Sequence, residues 1–333
     1  MKEFGSDFHY IESIPDNEGI RKENWRKGIY FANGRQALNG LISHKKWGRI
    51  WLPSYFCYDV INSVSSTGIK IEFYDDYPGN DDNHTITNCK FKPKDVLLRV
   101  NYFGLRSYRD NSSLGLDIEV IEDHTHSLSG DWIENSNADW CIASLRKSLP
   151  VGEGGVLWSP KGNKLPDIPP QNSENIELAS ARLHGMKLKS SYLSGTAFDK
   201  EAFRKIFIQT ENAFEKIPLS QIYVEDSQII SKIDLNKWNM LKKRNWEVMY
   251  KNLQNDFDIL IPENDKCIPF SFIIRCQEIR QLFIENQIFP AILWPVPDIY
   301  NKNLLSIHCD GRYSVNDIEE MVKRIKKCLR LLE

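Results

Sequence analysis

The chain of 333 residues has the composition of a soluble globular protein, with 41% hydrophobic and 26% charged residues. Its length favours a large domain followed by a smaller one over a single core. A net charge of −2 gives no electrostatic reason to expect nucleic acid or an anionic membrane surface as a partner.

The cysteine content and the polarity of the N-terminal residues favour the cytoplasm. The seven cysteines, an odd number, form no CxxC pair, which predicts free thiols in a reducing compartment. Residues 1–8 lack the apolar core of a signal peptide, and no apolar run is long enough to span a membrane.

The first 25 residues predict an arm or a short helix, and the first regular helix is expected over residues 35–42. Gly34 precedes that helix, so free backbone N–H groups and the positive end of the helix dipole make a candidate phosphate site there. Arg35 and Gln36 would add a cation and an amide donor. The alternative is a glycine that simply begins a core helix.

Strands and helices then alternate, which predicts a parallel, doubly wound sheet. Strands are expected over residues 50–52, 69–73, 95–101, 116–123, 138–144 and 155–158, with a helix opening within 53–60. Such a sheet binds ligands beyond the carboxyl ends of its strands. One strand ends in Glu122-Asp-His-Thr-His126 and Lys147 follows the next, so titratable groups meet at the same edge.

Lys147 lies in a turn between two apolar strands, followed by one proline and three glycines. This arrangement holds an amine rigidly at the end of a sheet, partly removed from water, as a Schiff-base lysine requires. The alternative is a glycine-rich hairpin with a solvated lysine at its tip.

The C-terminal part predicts helices and then a second, smaller α/β unit. Helical patterns cover 173–188, 199–216 and 227–253. They are followed by strands near 268–274, 289–294 and 304–308, with helices over 278–286 and from Ser314. The expected domains are 1–225 and 226–333. Trp294 could line a substrate cleft between them, or could be an ordinary buried strand residue.

The order of these motifs resembles the DegT/StrS-type sugar aminotransferases, which are fold-type I pyridoxal-phosphate enzymes. The resemblance runs in register from about Tyr30 onward. The segment 33–38 is similar to their GTxAL, 53–57 to PSxT-aromatic, 120–126 to VIEDAAH/Q, 147–155 to KNLTTGEGG and 306–313 to LPCDQRY. The resemblance implies an α/β fold in which helices cover both faces of a mostly parallel sheet, followed by a small C-terminal α/β domain.

The resemblance also implies roles for the residues that match. Lys147 would form the Schiff base with pyridoxal 5'-phosphate and move protons, and Asp123 would pair with the pyridine nitrogen. His126 would contact the ring hydroxyl. The phosphate would bind Gly34, Arg35 and Gln36, with Ser144 as a further hydroxyl donor.

The sequence departs from the family at three of these positions. Ser144 stands three residues before Lys147 where the family places a serine five before, and Arg35 replaces a threonine or serine. Cys57 occupies the place of an aromatic residue that stacks on the cofactor ring, so Phe56 or Tyr58 would serve instead.

The resemblance implies transfer of an amino group from a glutamate- or glutamine-like donor to a nucleotide-linked keto-sugar, by a homodimer. Two alternatives stay open. Asp123, His124 and His126 could bind a metal ion in a hydrolase, because an HxH pair alternates onto one strand face. The chain could also be a non-catalytic relative that uses the fold for binding.

Overall fold

The computed structural model describes residues 2–12, 23–80, 82–115, 117–196, 199–214, 216–292 and 304–331. In chain order the strands are β1 (Phe4–Gly5), β2 (Ile29–Phe31), β3 (Arg49–Pro53), β4 (Lys70–Tyr74), β5 (Asp95–Val100), β6 (Glu119–Asp123), β7 (Trp140–Ser144), β8 (Gly155–Trp158), β9 (Phe272–Arg275), β10 (Ile288–Phe289) and β11 (Leu304–Ile307).

The helices alternate with these strands in the first half of the chain and dominate the second. They are α1 (Gly34–Lys45), α2 (Tyr58–Ser65), α3 (Asp82–Thr87), α4 (Asp131–Asn135), α5 (Leu145–Ser148), α6 (Ser173–Leu193), α7 (Lys200–Phe214), α8 (Val224–Lys232), α9 (Leu235–Leu253), α10 (Arg280–Glu285) and α11 (Val315–Leu329). Short 3₁₀ turns occupy Asn24–Lys27, Tyr102–Gly104 and Asn111–Leu114.

A seven-stranded sheet, in the order β2-β8-β7-β6-β5-β3-β4, forms the centre of the described structure. Neighbours among β3 to β7 pair in parallel, whereas β8 runs antiparallel to both β7 and β2. All six residues of β5 are buried, as expected where helices cover both faces of a parallel sheet. The predicted fold class, with a mostly parallel sheet, is confirmed.

Two apolar cores cover the two faces of this sheet. Ile142 of β7 packs into the core on the α1 side, whereas its neighbours Cys141 and Ala143 pack into the core that includes Leu183 of α6. Successive side chains of a strand point to opposite faces, so β7 contributes to both cores. The sheet is therefore packed on both faces close to the end of β7, next to the predicted site.

The C-terminal residues form a separate apolar core around the antiparallel pair β9–β11. Phe272, Leu305 and Met321 are buried in it, together with Phe4 from the N-terminal arm. The arm pairs there in parallel, with Phe4 opposite Ile288 and Gly5 opposite Phe289. The expected domain boundary near residue 225 stays a prediction.

From this core the arm continues to α6, which packs on one face of the seven-stranded sheet. Arg182 of α6 binds the Asp7 carboxylate at 3.0 Å, and Lys189 of α6 binds the Ser6 hydroxyl at 2.6 Å. Arg312 donates to the backbone carbonyl of Asp7 at 3.2 Å. Residues 2–12 thus form a strap, called the N-terminal strap below, between the two parts of the chain.

The predicted elements are largely present, with local differences in their limits. The stretch 227–253 is two helices, because the Asp234 carboxylate accepts the Lys237 N–H at 3.0 Å and begins α9. The helix expected within 53–60 begins only at Tyr58. The helix from Ser314 starts with a capping box formed by Ser314 and Asp317, as the sequence predicts. Trp294 lies outside the described residues.

No helix in the described ranges has the length and apolarity needed to traverse a lipid bilayer.

Candidate functional site

A cleft lies at the carboxyl ends of β6 and β7, where parallel α/β sheets bind their ligands. Eight of the residues predicted from the sequence line it: Gly34, Arg35, Phe56, Cys57, Asp123, His126, Ser144 and Lys147. Eight more line it that the sequence reasoning did not select: Asn33, Asp59, Val60, Thr125, Ile142, Arg146, Glu211 and Phe270.

Lys147 reaches this cleft from the one-turn helix α5, which follows β7 directly. The turn is fixed because the Leu145 N–H donates to the Gly154 carbonyl at 2.8 Å and the Ser148 hydroxyl donates to the Thr125 carbonyl at 2.9 Å. The Lys147 side chain is exposed within the cleft. The adjacent Arg146 guanidinium, and secondly the enclosure of the amine, lower the pKa of Lys147. A larger fraction of this amine is therefore neutral and nucleophilic than in free lysine.

Asp123 is the last residue of β6, and its carboxyl group is almost completely buried at the wall of the cleft. The Thr125 N–H donates to Asp123 Oδ1 at 2.8 Å, which orients the carboxyl group. Burial raises the pKa of Asp123. A buried carboxylate of this kind gains most from a cationic partner in the cleft.

His126 is a neutral imidazole with a defined proton. The Phe103 N–H donates to His126 Nδ1 at 3.1 Å, so the ring proton is on Nε2. Burial lowers the pKa of His126 to about 3. The ring stacks on Phe103, with centroids 5.4 Å apart, and contacts Phe270 at 4.7 Å. His126 can therefore donate a hydrogen bond from Nε2 without carrying charge.

The start of α1 packs tightly against the end of β7. The Asn33 side chain caps the helix by accepting the Gln36 N–H at 3.0 Å. A Cβ on Gly34 would lie only 3.0 Å from the Ser144 Cβ, and one on Gly155 would lie 2.1 Å from the Asn33 carbonyl oxygen. The last glycine of the Gly-Glu-Gly-Gly segment is thus needed for β8 to pass beneath the Asn33–Gly34 loop.

Gln36 requires a correction, because its side chain does not point into the cleft. Its amide donates to the Pro218 carbonyl at 3.0 Å, and its carbonyl oxygen accepts the Ser220 N–H at 2.9 Å. The side chain instead ties α1 to the segment after α7. The expected amide donor at a phosphate is therefore not available from Gln36.

The glutamate of the Gly-Glu-Gly-Gly segment also has a structural role. Glu153 is fully buried, and it accepts hydrogen bonds from Tyr223 N–H and from the Asn175 amide at 3.1 Å. The Asp226 carboxylate accepts the neighbouring Gly152 N–H at 2.7 Å. Burial raises the pKa of Glu153 to about 8 and that of Asp226 to about 7. These contacts attach the lysine-bearing turn to α6 and α8.

Of the two aromatic residues that flank Cys57, Phe56 lines the cleft and Tyr58 does not. Phe56 is buried in the core and lines the cleft, as does the half-buried Cys57. Tyr58 begins α2, is 41% exposed and is not part of the cleft lining. Phe56, and not Tyr58, is therefore the aromatic residue placed to contact a ligand from this segment.

His124 and His126 do not lie side by side on one strand face, because β6 ends at Asp123, before both histidines. His124 is buried and bonds to Glu122 at 3.0 Å, with Trp132 and Trp158 beside its ring. Among the described residues, one group of three candidate ligands has its atoms within 4.8 Å, and it consists of Glu122, His124 and Cys141. Asp123 and His126 do not belong to it. The proposed metal trio is therefore not assembled.

Two of the lining residues that the sequence did not predict carry a weak signal. Arg146 stands beside Lys147 in the sequence, on the same short turn, and is a second cation there. Thr125 lies between two predicted site residues, and its hydroxyl accepts the Ser144 N–H at 3.0 Å. Glu211 and Phe270 come from distant segments and have no local motif.

Comparison with solved structures gives several close likenesses of fold. NtdA of Bacillus subtilis, solved with bound cofactor PMP, matches with a TM-score of 0.62 at 14% identity, covering 91% of this chain and 73% of that one. A DegT/DnrJ/EryC1/StrS aminotransferase of Brucella abortus matches with a TM-score of 0.56 at 14% identity, covering 90% and 85%. The sugar aminotransferase CalS13 of Micromonospora echinospora matches with a TM-score of 0.56 at 11% identity, covering 90% and 87%.

At these identities the likeness shows the fold, and the predicted fold-type I architecture is confirmed. No protein-family model matches the sequence, and no curated protein matches it.

Proposed function

We propose that this protein is a pyridoxal-phosphate-dependent aminotransferase that transfers an amino group from an amino acid to a keto-sugar. The observation that carries the proposal is the presence of Lys147, Asp123 and neutral His126 in one cleft, on a fold similar to that of solved aminotransferases. A reactive amine, a buried carboxyl group and an uncharged donor are the three groups that a pyridoxal ring uses.

The residues present fit the cofactor. A Cβ on Gly34 would lie 3.0 Å from the Ser144 Cβ, so the start of α1 and Ser144 lie side by side in the cleft lining. Backbone N–H groups at a helix start suit a phosphate. Arg35 and the Ser144 side chain line the same cleft and add a cation and a hydroxyl donor. The buried Asp123 carboxyl group gains a cationic partner in a protonated ring nitrogen.

Pyridoxal phosphate supplies an aldehyde that takes up the amine and a ring that accepts electrons. Lys147 Nζ would provide the amine that anchors the cofactor and would then carry a proton between the substrate carbon and the cofactor carbon, a role that its lowered pKa favours. The Asp123 carboxylate would hold the proton on the ring nitrogen. His126 Nε2 would donate to the ring hydroxyl oxygen without adding a charge to the cleft, because its low pKa keeps the imidazole neutral.

The acceptor and the assembly are the least direct parts of the proposal. The likeness to a protein named as a sugar aminotransferase supports a keto-sugar, which we expect to be linked to a nucleotide and used in amino-sugar or surface-polysaccharide biosynthesis. We expect glutamate or glutamine as the donor, a homodimer, and a cytoplasmic location. Multi-angle light scattering of the purified protein tests the homodimer.

Replacement of Lys147 tests the assignment. Lys147→Ala should abolish turnover and the visible absorbance of covalently held cofactor, while the melting temperature stays within about 2 °C of the parent, because the side chain is exposed in the cleft. Lys161→Ala, at an exposed lysine paired with Asp139, is the matched control. A variant at Lys147 with parental spectrum and turnover would refute the proposal.

The acceptor is tested in the second half-reaction alone. The protein is preloaded with pyridoxamine phosphate and offered nucleotide-linked keto-sugars or simple 2-keto acids in separate reactions. We expect the spectrum of the aldehyde form to return with a sugar. Its return with keto acids only would reject the sugar acceptor and leave a general aminotransferase.

A further inference from the structure

Arg146 lies in the cleft immediately before Lys147 and is bound to a carboxylate that is much more exposed than itself. Its Nη2 binds Glu211 Oε1 at 2.5 Å. The Arg146 side chain is 10% exposed, whereas that of Glu211 is 39% exposed. The guanidinium is therefore part of the wall, and the carboxylate is the member of the pair that faces solvent.

Arg146 has donor capacity that its protein partners do not use. A guanidinium offers five N–H donors, and Arg146 Nε is buried without a hydrogen-bond partner among the described residues. A buried donor without a partner is costly, so a second acceptor at this position would be favourable. Planar oxyanions bind arginine through two parallel bonds, which is the geometry that an unpaired Nε beside Nη2 offers.

Glu211 has a second cationic neighbour, Arg182, besides Arg146. Its other carboxylate oxygen lies 3.4 Å from Arg182, which also binds Asp7 at 3.0 Å. Burial alone would raise the pKa of Glu211, but Arg146 and Arg182 outweigh it and lower the pKa to about 2, so the group is a carboxylate at neutral pH. If Glu211 leaves Arg146, it keeps a cationic neighbour, and Arg146 is left as an uncompensated cation beside Lys147.

We propose that Arg146 is an exchangeable oxyanion site, in which the phosphate of the cofactor or the carboxylate of the amine donor replaces Glu211. The proposal rests on the proposed function for the identity of these two ligands. Both present planar or tetrahedral oxygens with negative charge, which is the chemistry that Arg146 recognises. A neutral ligand could not repay the loss of Glu211.

Two variants of opposite expected effect test the exchange. Arg146→Gln should weaken the affinity for the ligand that carries the oxyanion by about 10- to 100-fold, the range expected for a hydrogen bond to a charged group. Glu211→Gln should strengthen the same affinity, because the competing carboxylate is gone. Arg204→Gln, an exposed arginine on the same helix as Glu211, controls for net charge.

Two pairs of ligands separate the sources. Pyridoxal phosphate is compared with pyridoxal by quenching of tryptophan fluorescence. L-glutamate is compared with propylamine, which lacks both of its carboxylates, by the donor-dependent absorbance change. Loss confined to pyridoxal phosphate assigns Arg146 to the phosphate, and loss confined to L-glutamate assigns it to the donor carboxylate. Each pair contains one ligand without the oxyanion. A change in affinity that a substitution causes through Lys147 affects both ligands of a pair equally, so it cancels when the two are compared.

The exchange is overturned if both variants weaken binding, or if oxyanion and control ligands change equally, because an ion pair with a purely structural role behaves in that way. If Arg146→Gln does not fold, Arg146→Lys and Glu211→Gln carry the same comparison. If the parent shows no cofactor spectrum, the proposed function fails, and inorganic phosphate still tests the site. Phosphate should then raise the melting temperature of the parent but not of Arg146→Gln, and equal response of both would reject the site.

Discussion

Gly155→Ala should damage the site without changing any group that touches a ligand. The added Cβ would lie 2.1 Å from the Asn33 carbonyl oxygen and 2.6 Å from the Gly34 nitrogen. Ordinary contact begins near 3.4 Å, so the Asn33–Gly34 loop must move by more than 1 Å. Backbone atoms on both sides of the contact cannot rotate away as a flexible side chain would.

The expected cost follows from what that movement breaks. Overpacking of a tight contact costs about 1–3 kcal/mol. The Asn33 carbonyl also accepts the Ala37 N–H at 3.1 Å, and its side chain caps α1. Weakening these two bonds adds about 1–2 kcal/mol, so the free energy of unfolding should fall by about 2–5 kcal/mol.

The assay combines urea-induced unfolding with a titration of pyridoxal phosphate. Gly155→Ala should unfold at a lower urea concentration and bind the cofactor at least about 10-fold more weakly, because the displaced loop carries the expected phosphate contacts. Gly48→Ala is the control, since a Cβ there meets nothing within 4 Å. Parental stability and cofactor affinity in Gly155→Ala would refute the steric reasoning.

Two further predictions concern carboxyl groups. Asp123→Asn should keep the Thr125 N–H bond and the cofactor but lower kcat by about 100-fold or more, because an amide does not hold the ring nitrogen protonated; parental turnover would make Asp123 structural. The second prediction concerns Glu153, whose pKa is raised to about 8. Glu153 binds its proton more tightly in the folded than in the unfolded protein, so its protonated form stabilises the fold at low pH. This contribution is lost as the pH rises from about 4.5 to 8. Glu153→Gln should therefore lose less stability than the parent between pH 5 and pH 8 in urea unfolding, by more than about 1 kcal/mol. Parallel curves would contradict this.

The central part of the site could be predicted because it follows from sheet geometry. Asp123 and Lys147 come at or just after the ends of neighbouring parallel strands, and those ends meet at one edge. The glycine pattern around them restricts the turns further. The lysine, the carboxylate and His126 were therefore identifiable from the order of strands and motifs.

The remainder depends on packing between distant segments. Gln36 follows the predicted helix start, but its side-chain amide forms hydrogen bonds with Pro218 and Ser220, in the segment after α7. No local sequence pattern predicts these contacts. Glu211 belongs to an amphipathic helix and resembles any solvated glutamate in the sequence. The two histidines alternate as a strand pair should, but β6 has already ended at Asp123 and the chain turns between them.

The N-terminal strap also bears on how the protein is made. Phe4 is completely buried in the C-terminal core, opposite Ile288, and the two residues are 284 positions apart in the sequence. At about 5–20 residues per second, that separation corresponds to about 14–57 s of synthesis on the ribosome. During this interval β1 has no strand to pair with, and the core that it completes cannot close. The parallel sheet can assemble earlier, so the order of translation separates the formation of the candidate site from the attachment of the strap.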